Sequence, residues 1–142
     1  MNHIFTFHVG NLSFGIDILC VQEIVRYQPM TRVPLAHSIV RGLINLRGQI
    51  VMALDMRKGL GLPPSEHEDQ MINVMVYDEG ETVSLLVDGI GDVLALDPDR
   101  FESTPATLRS GLKGLARSVC QTDDGLLLLL DAQSVSRFAN TN

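Results

Sequence analysis

Residues 5–18 read Phe5-Thr6-Phe7-His8-Val9-Gly10-Asn11-Leu12-Ser13-Phe14-Gly15-Ile16-Asp17-Ile18, and this stretch decides the fold class. Phe5, Phe7 and Val9 alternate with Thr6 and His8. Gly10-Asn11 supplies a two-residue turn in which positive φ is tolerated. The alternation then resumes, with Leu12, Phe14, Ile16 and Ile18 set against Ser13, Gly15 and Asp17. A period of two on both sides of a tight turn is a β-hairpin with one buried face.

Beyond the hairpin the period changes. Ile18, Val21, Gln22 and Val25 fall at i, i+3, i+4 and i+7, and Asp17 stands where a helix cap belongs. The spacing predicts a short helix to Arg26, stopped before Pro29. Pro29 and Pro34 bracket an extended piece, and a helical turn is expected around His37 to Val40. Leu43–Leu46 and Gln49–Leu54 read as strands parted by Arg47-Gly48, and Asp55 as the cap of a further helical turn. Residues 63–69 form a polar loop. Met71–Tyr77 is apolar on both faces, as a central strand should be. Asp78-Glu79-Gly80 turns the chain into Val83–Val87, and Ile90–Leu96 continues as strand after Gly89. Residues 97–109 carry Pro98 and Pro105 and read as irregular. Leu112–Val119 and Leu126–Leu130 make a last hairpin around residues 123–125, and Asp131 caps a C-terminal helix through Phe138. Roughly nine short strands with frequent turn signals favour a β-barrel or sandwich over an alternating α/β sheet.

The bulk composition fits such a fold. The chain has 142 residues, 45% of them hydrophobic and 20% charged, enough for a core without disulfide help. Trp is absent, so the core rests on Leu, Ile, Val and Met. A net charge of −6 without a basic run argues against nucleic acid as a partner. Cys20 and Cys120 lack metal-type pairing and are expected as free thiols of a reduced compartment. Met1 to Phe7 lacks a basic start and a continuous apolar stretch, so no signal peptide is expected, and an apolar run such as Leu126–Leu130 is far short of the roughly 20 residues that span a bilayer. A soluble cytoplasmic protein without direct membrane insertion is expected.

Catalytic and metal signals are sparse. His3, His8, His37 and His67 have no ligand partner at metal spacing. Phosphate-binding loops and nucleophile elbows are missing as well. Asp55, Asp88 and Asp131 each end an apolar strand, and together they could act as an acid–base set. Leu86-Val87-Asp88-Gly89 lacks, however, the hydroxyl residue that an aspartic-protease motif carries between Asp and Gly. A simpler role is expected, with Asp55 and Asp131 capping helices and Asp88-Gly89 turning a corner. A small-ligand-binding or sensory barrel is the alternative class. It would need a pocket with converging polar groups, and the apolar strands offer few.

One segment is more specific. Val40-Arg41-Gly42-Leu43-Ile44-Asn45-Leu46-Arg47-Gly48-Gln49-Ile50-Val51 puts Asn45 and Arg47 on one side of an apolar strand. An Arg there calls for a carboxylate or a partner surface. With Arg32-Val33-Pro34 before it, this segment resembles the signature of the CheW family. Phe14-Gly15-Ile16-Asp17-Ile18 with Val21-Gln22-Glu23-Ile24 resembles the family's opening. Leu86-Val87-Asp88-Gly89 with Asp92-Val93-Leu94 is similar to its later hairpin, and Gly114-Leu115 and Leu130-Asp131 to its closing elements.

The resemblance implies a mainly β fold of two small five-stranded SH3-like β-barrels around a shared hydrophobic core, forming one CheW-like domain over residues 1–142. It implies no enzyme activity and no cofactor. It implies an adaptor at membrane-associated receptor arrays, coupling the cytoplasmic hairpin tip of a chemoreceptor to the regulatory domain of a CheA-type histidine kinase. The family's receptor-contact region falls on Val21, Glu23, Asn45 and Arg47, and Arg47 is expected to pair with Glu23. The resemblance assigns no kinase-contact residues. Met52 stands where family members usually have Pro, which puts that strand's meeting with its partner in question.

Overall fold

Alternation in the opening residues becomes pairing in space. The computed structural model describes residues 1–104 and 114–140. Strands β1 (Asn2–Val9) and β2 (Leu12–Asp17) pair antiparallel in the register Phe5↔Ile16, Phe7↔Phe14, with Gly10 in the turn at φ 58°. Then come β3 (Val21–Arg26), β4 (Val40–Leu46), β5 (Gln49–Asp55), the single-turn α1 (Met56–Gly59), β6 (Ile72–Asp78) and β7 (Glu81–Val87). The chain ends with β8 (Gly89–Leu96), the two-residue β9 (Glu102–Ser103), β10 (Ala116–Thr122), β11 (Gly125–Leu130) and α2 (Ala132–Asn140).

The strands form two sheets. The first has the order β8-β1-β2-β11-β10-β9, and the second β3-β6-β7-β5-β4. Most neighbours are antiparallel, but β2 pairs parallel with β11 and β5 parallel with β7. The main core lies between the sheets. Phe7, Phe14 and Leu128 come to it from the first sheet, Leu54, Val76 and Leu85 from the second, and Val135 from α2. Each sheet also curls around a smaller apolar cluster on its other face. Ile4, Leu96, Cys120, Leu127 and Leu129 fill the first, and Ile44, Val51, Ala53 and Met75 the second. This is the expected mainly β architecture with a shared core. The first sheet gains a sixth member only through β9.

Four expectations need correction. The helix read from Ile18 to Arg26 is a single 3-10 turn, Ile18–Cys20, followed by strand β3. The Asp17 cap is real, accepting from Leu19 N–H at 2.9 Å, but the turn ends at once. From Val21 the side chains alternate between half-buried and exposed, so the period is two. Residues 37–40 form a hydrogen-bonded turn, Val40 N–H to the His37 carbonyl at 2.9 Å, rather than helix. The strand expected from Leu112 begins at Ala116, residues 112 and 113 lying outside the described residues. Of the stretch expected to be irregular, Pro98–Arg100 is a 3-10 turn, and residues 105–109 also lie outside. Asp55 and Asp131 cap α1 and α2 as expected.

Candidate functional site

The β4–β5 hairpin turns on Arg47 and Gly48, both at positive φ (52° and 85°). Two consecutive positive φ values make the primed turn that matches strand twist, and Gly48 suits it better than Arg47 does. The turn is pinned by Gly48 N–H, which donates to Asn45 Oδ1 at 3.1 Å. Arg47 thus sits in the turn itself rather than on the strand, and its side chain reaches back to Glu23 on β3. β3 and β4 are the two outer strands of the second sheet. The Arg47–Glu23 ion pair therefore joins the sheet's two outermost strands over the Ile44–Met75 cluster, against which Val25 and Leu46 pack. The hydrogen bond from Arg47 is the main influence holding the Glu23 carboxyl below its usual range, and the same contact raises Arg47. Beside the pair, Gln49 donates to Thr82 and Thr82 to Gln22 (3.3 and 2.7 Å), a polar chain across the same end of the sheet.

Three of the four sequence-predicted contact residues meet here: Glu23, Asn45 and Arg47. Val21 does not join them. A bulge between Val21 and Glu23 makes Val76 and Met75, neighbours on β6, their successive partners. Adjacent residues of a strand face opposite ways. Val21 accordingly packs toward the shared core and Glu23 toward the other face.

The sheets also expose apolar side chains that sequence reading did not single out. Ile90 and Val93 on β8 stand opposite Phe7 and Phe5, so they share the core-facing side of the first sheet. Ile50 shares the face of Met52 and Leu54, and Ile24 stands opposite Val74. Between 40% and 58% of each of these four residues is exposed. The core therefore runs out to solvent along apolar margins on both facing sheets. Alternation could show which face they take, but not that they lie where the sheets part.

The other end of the β4–β5 hairpin is polar and tightly paired. Arg41 donates to Asp55 at 3.0 Å, pairs with Glu68, and lies 5.9 Å over the Tyr27 ring. Tyr27 in turn donates to Glu68 at 2.9 Å. Nearby, Arg57 on α1 donates to Asp88 at 2.6 Å and to the Pro63 carbonyl at 2.8 Å. Asp88 also accepts from Gly10 N–H at 2.7 Å. Asp88 lies where the chain passes from β7 of one sheet to β8 of the other, so its carboxylate ties the crossing to the first hairpin. These groups edge an open groove between the loop before β4 and the segment after α1. Polar groups converge there after all, brought by loops and strand ends rather than by strand faces. The groove's two carboxylates, Asp55 and Glu68, are engaged by Arg41. Asp55, Asp88 and Asp131 are each occupied by a different arginine (Arg41, Arg57 and Arg117) rather than by one another. Among the described residues no three His, Cys, Asp or Glu side chains gather as a metal site, and no helix is long and apolar enough to cross a membrane.

Comparison with known proteins gives a consistent result. The family model of the CheW-like domain matches residues 3–139. The chain is 30% identical over 129 residues to a Chemotaxis protein CheW of Rhizobium meliloti, covering 91% of this chain and 83% of that protein. It is 29% identical to a Chemotaxis protein CheW of Bacillus subtilis over the same shares. Among solved structures, the scaffolding protein TtCheW of Thermoanaerobacter tengcongensis superposes with a TM-score of 0.81 at 25% identity. That match covers 92% of this chain and 84% of the other.

Proposed function

This chain belongs to the CheW-like domain family, and on that footing we propose that it is a non-enzymatic adaptor that couples chemoreceptors to a CheA-type histidine kinase. The observation that carries the reading is the set of apolar margins, Ile24, Ile50, Ile90 and Val93, left exposed on the core-facing sides of both sheets, with the Arg47–Glu23 pair linking the outer strands of the second sheet on its other face. Exposed apolar margins suit an amphipathic helix laid between them, and an accessible ion pair on the same sheet offers a charge to orient it. The cytoplasmic tip of a chemoreceptor, a helical hairpin, is such a partner. Apolar burial supplies the affinity there, and Arg47 fixes the orientation. Of the remaining residues, Glu23 and Asn45 hold Arg47 and its turn, and Val21 lines the core side of β3. The protein works in the cytoplasm at membrane-associated receptor arrays.

Coupling of this kind needs no chemistry by the adaptor itself. Holding kinase and receptor together links their states only as far as its affinity differs between those states. The reading is tested by mixing the purified chain with the receptor hairpin tip and with the CheA-type kinase of the same cell. Complexes are expected with each, and a ternary complex with both. No complex at tens of micromolar with either partner sinks the proposal.

A further inference from the structure

The loop before β4 holds a leucine where chain physics least favours one. Val33-Pro34-Leu35-Ala36 is a reverse turn in which Ala36 N–H approaches the Val33 carbonyl at 3.4 Å. Its second residue is proline, with φ fixed near about −65°, and its third, Leu35, has φ 65°. That is a type II turn, whose third position suits glycine or asparagine. Leu35 bears the left-handed backbone and is also fully exposed to water. An exposed leucine alone is ordinary, and so is a tight turn. Both together at one residue are a strained display of an apolar side chain, and such strain marks sites of contact.

The charge around this turn has a definite sign. The protein carries −6, yet four of its eleven Lys and Arg residues, Arg32, Arg41, Arg57 and Lys58, line the groove beneath Leu35. Arg41 and Arg57 are consumed by Asp55, Glu68 and Asp88. Arg32 and Lys58 are exposed and form no ion pair among the described residues. Two uncommitted cations thus share a groove with a projecting leucine on an otherwise acidic protein.

We infer that this turn is a second docking element: Leu35 enters an apolar pocket on a partner protein, and Arg32 and Lys58 pair with carboxylates at that pocket's rim. The inference rests on the adaptor reading and assigns the turn to the kinase side. Leu35 lies at the open end of the β4–β5 hairpin and Arg47 at its turn. Seven residues of strand at about 3.3 Å each put the two ends roughly 20 Å apart. Partners at opposite ends of one hairpin do not compete for the same surface.

The full chain is titrated against the purified CheA-type kinase and, separately, against the receptor hairpin tip. Leu35→Gly and Leu35→Asn both suit the left-handed backbone and remove the apolar side chain. Each is expected to weaken kinase binding by about tenfold or more, with unchanged binding of the tip and a melting midpoint that is unchanged or raised as the backbone strain is relieved. Arg32→Glu with Lys58→Glu is expected to slow association with the kinase and flatten its salt dependence. Kinase affinity unaltered in both Leu35 variants overturns the inference. An equal loss toward both partners with a lowered melting midpoint overturns it too, because the turn then acts through the fold. A wild-type chain that binds no kinase brings down the adaptor reading as well, whereas normal wild-type binding with indifferent Leu35 variants brings down the inference alone.

Discussion

The two ends of the β4–β5 hairpin both carry arginine–carboxylate contacts, but they are built for different purposes. At the turn, Arg47 and Glu23 meet with 69% and 32% of their side chains exposed, one donor to one acceptor. At the open end, Arg41 is shared by Asp55, Glu68 and Tyr27, and Arg57 and Asp88 meet with 18% of each side chain exposed. An exposed pair gains little over its solvated parts, so a partner can replace half of it at small cost. A secluded pair that loses one member leaves the other stranded. The first arrangement is exchangeable and the second is a brace, which is why we give Arg47 to the receptor and leave Arg57 to the fold.

The comparison is tested most severely at Asp88. Asp88→Ala strands Arg57 and frees Gly10 N–H, and is expected to cost about 3 kcal/mol of stability in urea unfolding. A loss below about 1 kcal/mol, the range of exposed pairs, would erase the distinction between the two ends. Arg41→Ala should fall in between, at about 1–2 kcal/mol, because two carboxylates and a phenol lose one shared donor. Arg47→Ala is expected to leave the melting midpoint almost unmoved while receptor-tip affinity drops about tenfold. The reverse result, a large stability loss with binding intact, would make Arg47 a brace as well.

The smallest effect is one of pH. The folded Glu23 carboxyl lies below its ordinary value of 4.5, so its stabilisation is fully present above that pH. It is lost only as pH falls through the lowered folded value. Glu23→Gln should therefore lower stability slightly near neutrality, leave the slope there unchanged, and flatten the acid limb of the stability curve. A matching slope in both proteins would show that the pair does not persist in solution.

The strands and the caps were legible because each depends on neighbours in sequence. Phe5 to Ile16 announces its hairpin by alternation, and Asp17, Asp55 and Asp131 cap as residues of their type do. Residues 18–26 misled for a physical reason. A 3-10 turn and a bulge each shift the side-chain phase by one residue, and together they place Ile18, Val21, Gln22 and Val25 at helical spacing on a chain that is extended. The Arg47–Glu23 contact came from family resemblance, since nothing local links residues 24 apart. The groove beside Leu35 was invisible because residues from three separated segments build it. Leu35 itself left a trace, a Pro-Leu pair in a turn position where Pro-Gly is usual, but its positive φ had to be seen.

The order of strands carries a last consequence, for how the chain comes into being. Residues 21–87 supply every strand of the second sheet without interruption, while the first sheet draws on β1 and β2 at one end and β8 to β11 at the other. During synthesis the second sheet has all its strands once Val87 has left the ribosome. The opening hairpin must wait for β11, its parallel neighbour through Phe14↔Leu128. The late-forming contact spans more than a hundred residues of sequence, a long closure that slows folding. The newborn chain should thus pass through a stage in which one sheet is complete and the opening hairpin still lacks its flanking strands β8 and β11.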